Sequence, residues 1–147
     1  DQPGVASTIF GQISDAHVNV DMIIQNVAQD GTTDLTFTVN RSEYPHARAI
    51  LEKISAELKA REVVGDDQLA KISIVGVGMR SHAGIASTMF EAMATEGINI
   101  ELISTSEIKI SIGVADRYGE LAVRALHRAF GLEDETHEEI LDATAVD

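Results

Sequence analysis

The chain has 147 residues, 24 acidic against 11 basic, for a formal net charge of −13, and it contains neither cysteine nor tryptophan. That balance argues against binding a phosphate backbone or an anionic membrane surface, both of which need clustered Lys and Arg. No disulfide or thiolate metal site is available, no apolar run reaches the ~18 residues of a membrane helix, and the cytoplasm is the expected compartment.

Residues 4–27 and 84–107 are one segment written twice at an offset of 80 residues. Gly4-Val5-Ala6-Ser7-Thr8-Ile9-Phe10 returns as Gly84-Ile85-Ala86-Ser87-Thr88-Met89-Phe90, and Val18-Asn19-Val20-Asp21-Met22-Ile23 returns as Ile98-Asn99-Ile100-Glu101-Leu102-Ile103. A duplication of this length predicts two similar units, each marginal alone and therefore expected to pack on the other and on a second chain. The chain opens at Asp1 on what already reads as a helix entry, as expected of a fragment or processed product of a longer polypeptide.

In chain order, Gly4 to Ala16 reads as a helix with Ala6, Ile9, Phe10 and Ile13 on one face. The second copy repeats that face with Ala86, Met89, Phe90 and Met93. Gly97 supplies a left-handed stop for the second helix, and His17 holds that place in the first. Short apolar strands follow at Val18 to Ile24 and Ile98 to Ile103. Asp30-Gly31 marks the first turn, and Ser104-Thr105-Ser106 is the expected centre of a tighter second one. The next strands alternate, through Leu35, Phe37 and Val39 and through Ile108, Ile110, Ile112 and Val114, so one face is buried.

Second helices carry stripes of Ala47, Ile50, Leu51, Ile54 and Leu58, and of Leu121, Ala122, Ala125, Leu126 and Ala129. Between the units, a brief strand is expected around Val63-Val64 and a strong one at Lys71 to Val77. The order predicts an α+β fold of two tandem ferredoxin-like β-α-β-β-α-β units, with antiparallel sheets and helices on one face. The first strand of unit one is missing and would have lain just upstream of Asp1. The boundaries read are 1–68 and 69–132 for the units and 133–147 for a loose acidic tail.

Gly76-Val77-Gly78 imitates a dinucleotide fingerprint, but the third glycine position is Ser81, the next element is a hairpin, and the other copy lacks the pattern. What remains is a loop of small residues that opens a helix, twice. Free N–H groups there suit an anion such as a carboxylate, while Asp1, Asp21 and Glu101 could answer an ammonium group. An ordinary helix cap with surface acids explains the same residues about equally well. The five histidines are scattered without zinc spacing, and no nucleophile with a base and no phosphate loop is present, so no catalytic or metal-binding residue is expected.

With Asp-x-Pro-Gly at the helix entry, the chain resembles the ACT domain family of amino-acid-binding modules. Residues 71–82 (KISIVGVGMRSH), 99–108 (NIELISTSEI), Gln25-Asn26-Val27 and Asp30-Gly31-Thr32-Thr33-Asp34 are similar to the regulatory region of aspartokinase, over about residues 1–132. The resemblance implies a regulatory module of an enzyme that phosphorylates aspartate, found either as a separate β subunit or as the C-terminal region of an α chain. It implies feedback by the end products threonine and lysine, bound at ACT–ACT interfaces of a homodimer. It implies no cofactor in this chain, ATP and magnesium in a catalytic domain or α subunit that serves as partner, and no activity of this chain alone. The effector positions it implies are Asp1, Pro3, Gly4, Val5, Ala6, Asn19, Val20, Asp21 and Gln25 in unit one, with Gln25 contacting the ligand amino group. In unit two they are Ser81, His82, Gly84, Ile85, Asn99, Ile100 and Glu101. Ala83 departs from the family proline and Thr105 replaces Gln25, so the two sites are expected to differ. A structural dimerisation module that has lost its ligand is the rival reading.

Overall fold

The computed structural model describes residues 3–76 and 82–132, with the His82 side chain left out. The order is α1 (Val5–Asp15), β1 (Val20–Val27), β2 (Thr33–Val39), α2 (Tyr44–Leu58), β3 (Leu69–Val75), α3 (His82–Thr95), β4 (Ile100–Thr105), β5 (Lys109–Ala115) and α4 (Gly119–Ala129). The chain divides into two compact units between Asp67 and Gln68. In the first, β1 and β2 form an antiparallel hairpin; in the second, the antiparallel sheet runs β3-β5-β4. Asp1, Ser81 and the expected acidic tail 133–147 lie outside the described residues.

Each unit buries the helical stripe that the periodicity predicts. In unit one Ile13, Val18 and Ala47 are buried together, with Ile9, Val20, Phe37, Val39 and Ile50 packed against them. The Phe10 and Phe37 rings meet edge to face at 5.4 Å. In unit two Met89, Met93 and Ile98 join Ile72, Ile74, Ile110, Ile112, Val114, Ala122, Ala125 and Leu126 in one core. Central strand β5 is covered on both faces. Opposite the core, the hydroxyls of Ser111 and Ser73 share a buried hydrogen bond of 2.8 Å. Two buried hydroxyls that satisfy each other avoid the ~1–3 kcal/mol cost of an unpaired polar group.

All four helices are followed by a residue in the left-handed region: His17 (φ 58), Lys59 (φ 52), Gly97 (φ 68) and Gly131 (φ 66). After α1 the His17 N–H donates to the Ser14 carbonyl and the Val18 N–H to the Ile13 carbonyl. After α3 the Gly97 N–H donates to Ala94 and the Ile98 N–H to Met93. These pairs of bonds form the Schellman reversal, and in both copies the apolar partners across it, Ile13 with Val18 and Met93 with Ile98, are buried in the core.

Several expectations are corrected. Strands β1 (Val20–Val27) and β4 (Ile100–Thr105) each start two residues later than expected. Residues 63–64 form no strand, and Val64 is 80% exposed. In this topology a final strand pairs with the opening strand, and unit one has no opening strand among the described residues, so these residues have no such edge to join. Side chains hold the segment instead. Arg61 lies 3.6 Å from Asp30. The Arg41 Nε donates to the Asp67 carbonyl at 2.9 Å. Gly65 packs against Tyr44 Oη so closely that any Cβ would collide with it. The second hairpin turn sits at residues 106–108, because Ser104 and Thr105 stay paired with Ser111 and Ile110 in the ladder. Strand β3 starts at Leu69, two residues earlier than predicted.

The Asp30-Gly31 turn forms as predicted. Gly31 has φ 79, and the Asp30 carboxylate accepts from the Thr32 hydroxyl at 2.5 Å and the Thr32 N–H at 3.0 Å. These bonds, the hydroxyl first, hold the Asp30 carboxyl below its usual pKa. The turn's share of stability is therefore fully present above the unfolded carboxylate pKa of ~4 and is lost as pH falls through the folded value. Thr32→Val removes the hydroxyl but keeps the N–H, so it should raise the Asp30 pKa part of the way and reduce this acid-side loss, read by carbon NMR of the carboxyl group.

His17 and Lys59 occupy a conformation that costs a non-glycine residue about 1 kcal/mol. His17→Gly should therefore stabilise the chain by about 1 kcal/mol and Gly97→Ala destabilise it by a similar amount, measured by urea unfolding.

Candidate functional site

At the start of α1, Gly4 is the N-cap in the left-handed region (φ 96), with no side-chain cap and no acidic residue in the first turn. Its carbonyl accepts the N–H of Thr8 at 3.0 Å and the Thr8 hydroxyl at 3.1 Å. The N–H groups of Val5, Ala6 and Ser7 begin the helix without an intrahelical acceptor, and the helix dipole adds partial positive charge there. Pro3 and Gly4 are exposed, with Val5 and Ala6 half-buried.

The copies differ here. Helix α3 begins at His82, which in repeat register lies three residues ahead of Val5, so Gly84 and Ile85 sit inside its first turn rather than at its cap. Gly84 therefore does not begin its helix as Gly4 does. Gly4 at φ 96 lies outside helical geometry, and a proline ahead of it opposes extending the helix further upstream. Ala83 imposes no such restriction and is a strong helix former. The donor set moves upstream by roughly 4–5 Å of helix axis. The Thr88 hydroxyl still bonds the Gly84 carbonyl at 3.1 Å, as Thr8 does Gly4.

The strand half of the site lies elsewhere in the unit. Phe10 of α1 meets Phe37, which is paired with Ile23, whereas Ile13 packs with Val18, Val20 and Val39. Strand β1 therefore runs antiparallel to α1. Asn19, Val20 and Asp21 stand at the C-terminal end of the helix, about 16 Å along its axis from Gly4. Gln25 pairs with Leu35, two residues beyond the Ile23–Phe37 pair, so it lies on the helix-facing side toward the start of α1. The expected effector positions of the first unit thus fall into two separate groups, each a candidate half-site. Pro3, Gly4, Val5, Ala6 and Gln25 share one end, while Asn19, Val20 and Asp21 share the other. In unit two the start of α3 with exposed Thr105, and Asn99, Ile100 and Glu101, occupy the equivalent positions.

The Asp21 half-site has a feature that periodicity does not announce. Val20 pairs with Val39 and Ile23 with Phe37, leaving Asp21 and Met22 opposite Thr38 alone. In unit two Ile100 pairs with Val114 and Leu102 with Gly113, leaving Glu101 unpaired. Each half-site is a β-bulge at the same point of the repeat, with the acidic residue on it exposed. A bulge re-aims a side chain at the end of a strand. No group of three or more His, Asp or Glu able to hold a metal is found among the described residues.

Comparison with known proteins follows the two units. ACT domain family models match residues 1–56 and 72–130. The regulatory subunit of aspartate kinase from Thermus thermophilus, solved ligand-free, is 41% identical and superposes with a TM-score of 0.81, covering 88% of this chain and 86% of that one. The chain belongs to the aspartokinase family, as its paired ACT-domain regulatory region. A structure of aspartokinase alpha and beta subunits matches at 50% identity and a TM-score of 0.81, over 89% of this chain and 86% of that one. The aspartate kinase of Pseudomonas putida is 62% identical over 133 residues, which are 90% of this chain and 32% of that protein. The ACT region thus spans about a third of the curated relatives it matches.

If Pro3 against Ala83 sets where each helix starts, Ala83→Pro should remove His82 from α3. Its backbone carbon shifts should then leave helical values in NMR spectra. A His82 that stays helical would show that the proline is not what distinguishes the two starts.

Proposed function

We propose that this ACT pair binds an end-product amino acid, threonine or lysine, and through it inhibits phosphorylation of aspartate by a catalytic domain or α subunit. The observation that carries the proposal is the separation of complementary half-sites to opposite ends of each unit. One end offers uncapped helix N–H groups, suited to an α-carboxylate. The other offers an asparagine and a carboxylate on a bulge, suited to an ammonium group. A single unit cannot bring them together, so a closed zwitterion site requires a second unit beside it.

That reading agrees with binding at ACT–ACT interfaces in a homodimer. Exposed apolar side chains support such packing: Ile23 is 56% and Val27 65% exposed on β1, with Ile103 at 47% on β4. A site completed between units links occupancy to assembly by mass action. If the effector binds the inhibited arrangement more tightly, it shifts the kinase toward it, and a coupling of about 1–3 kcal/mol alters affinity ~5- to 150-fold.

Calorimetric titration with threonine, lysine and methionine tests the reading directly, and threonine or lysine should give saturable heat. No heat with any of the three at millimolar concentration would leave a purely structural dimerisation module. Gln25→Ala should weaken the site formed with the α1 entry by about 5- to 20-fold if its amide meets the ligand. It should leave the melting temperature without ligand unchanged, because Gln25 is exposed.

A further inference from the structure

The two bulges are built by different means. In unit two Leu102 regains the ladder at once opposite Gly113. The approach is close there. A Cβ on Gly113 would stand 3.2 Å from the Leu102 Cβ and 3.3 Å from a Leu69 methyl. A side chain there would require its neighbours to shift by a few tenths of an ångström. In unit one the equivalent position is Thr38, since Val39 and Val114 occupy matching places opposite Val20 and Ile100. Met22 and Thr38 are not a ladder pair. The Met22 N–H instead donates to the Thr38 hydroxyl at 3.0 Å, in a partly buried setting. Met22 itself is 7% exposed.

Asp21 lies between these anchors, with Val20 in the ladder on one side and Met22 tied to Thr38 on the other. We infer that Thr38 is a positioning residue for effector binding, whose hydroxyl fixes the bulge that presents Asn19 and Asp21. Gly113 has no hydroxyl to offer and leaves the Glu101 bulge set by backbone pairing alone. The half-sites of the two units therefore differ in how their acidic residue is held as well as in its identity. The inference rests on the effector reading above and assigns Thr38 a role through the bulge.

The test separates the two ideas. Thr38→Val keeps the shape and removes the hydroxyl, and Thr38→Ser restores a hydroxyl. Threonine and lysine are titrated into the full chain while NMR follows the Asn19 and Asn99 side-chain amides, and hydrogen exchange follows the Met22 N–H. In Thr38→Val the Met22 amide should exchange about tenfold faster, and the midpoint reported by Asn19 should rise about fivefold, the loss expected of one hydrogen bond. The midpoint reported by Asn99 should not move, and Thr38→Ser should recover most of both effects. An unchanged Asn19 midpoint alongside faster Met22 exchange overturns the positioning role while leaving effector binding intact. Equal shifts at Asn19 and Asn99 overturn it as well, as a general loosening of the chain. No response of either amide in the parent chain overturns the effector reading, and the inference falls with it. Thr38→Ala provides the same readouts if the valine variant does not fold.

Discussion

The left-handed reversal after α1 and after α3 is the constraint on which the rest depends. One residue at positive φ turns the chain back on itself, and two backbone bonds close the turn. The strand that follows must then run antiparallel to its helix and along it. Ile13 and Val18, like Met93 and Ile98, are brought into one core by that turn. Burying such a side chain contributes roughly 1.5–3 kcal/mol, more than the ~1 kcal/mol that His17 loses by adopting a glycine conformation. Packing therefore wins over local propensity in the first copy, and the second copy avoids the conflict by using Gly97.

The same reversal separates chemistry from chemistry. It sends the helix entry to one end of the unit and the Asn-apolar-acid sequence to the other. Residues that a motif comparison groups as one site fall into two groups at opposite ends of the unit. The two copies then diverge at both halves. Pro3 against Ala83 changes where the helix donors begin, and Thr38 against Gly113 changes how the bulge is held.

Much of this fold was legible in the sequence because it follows from periodicity. The stripes through Ile13 and Ile54 and through Met89 and Met93 are buried where a 3.6-residue repeat places them. The duplication supplied the second unit from the first, and Asp30-Gly31 and Gly97 carry their own turn chemistry. What stayed hidden depends on partners distant in the chain. Val63-Val64 has strand-forming residues but, among the described residues, no opening strand to pair with. The second hairpin turn moved because cross-strand pairing continued through Ser104 and Thr105. The bulges are invisible to a period-two reading, since an extra residue shows only when both strands are seen together. Pro3 against Ala83 was visible, yet its effect on the helix start needed the backbone on both sides. The effector residues were reached by resemblance. Their division into two ends of a unit came from the register of α1 against β1.

The paired bulges also speak to history. An extra residue at the same point of both copies is most simply a feature of the unit before it was duplicated, and Thr38 and Gly113 are two different ways of accommodating it. On the proposed effector reading, a single unit with a helix entry at one end and a bulged Asn-apolar-acid segment at the other would carry both halves of a site that it cannot close alone. Two identical copies related by a two-fold axis could place each end against its complement and complete two equivalent sites in one step. Fusion of two copies in one chain removes the requirement that they stay equal, and the Thr38 and Gly113 positions show one place where they differ.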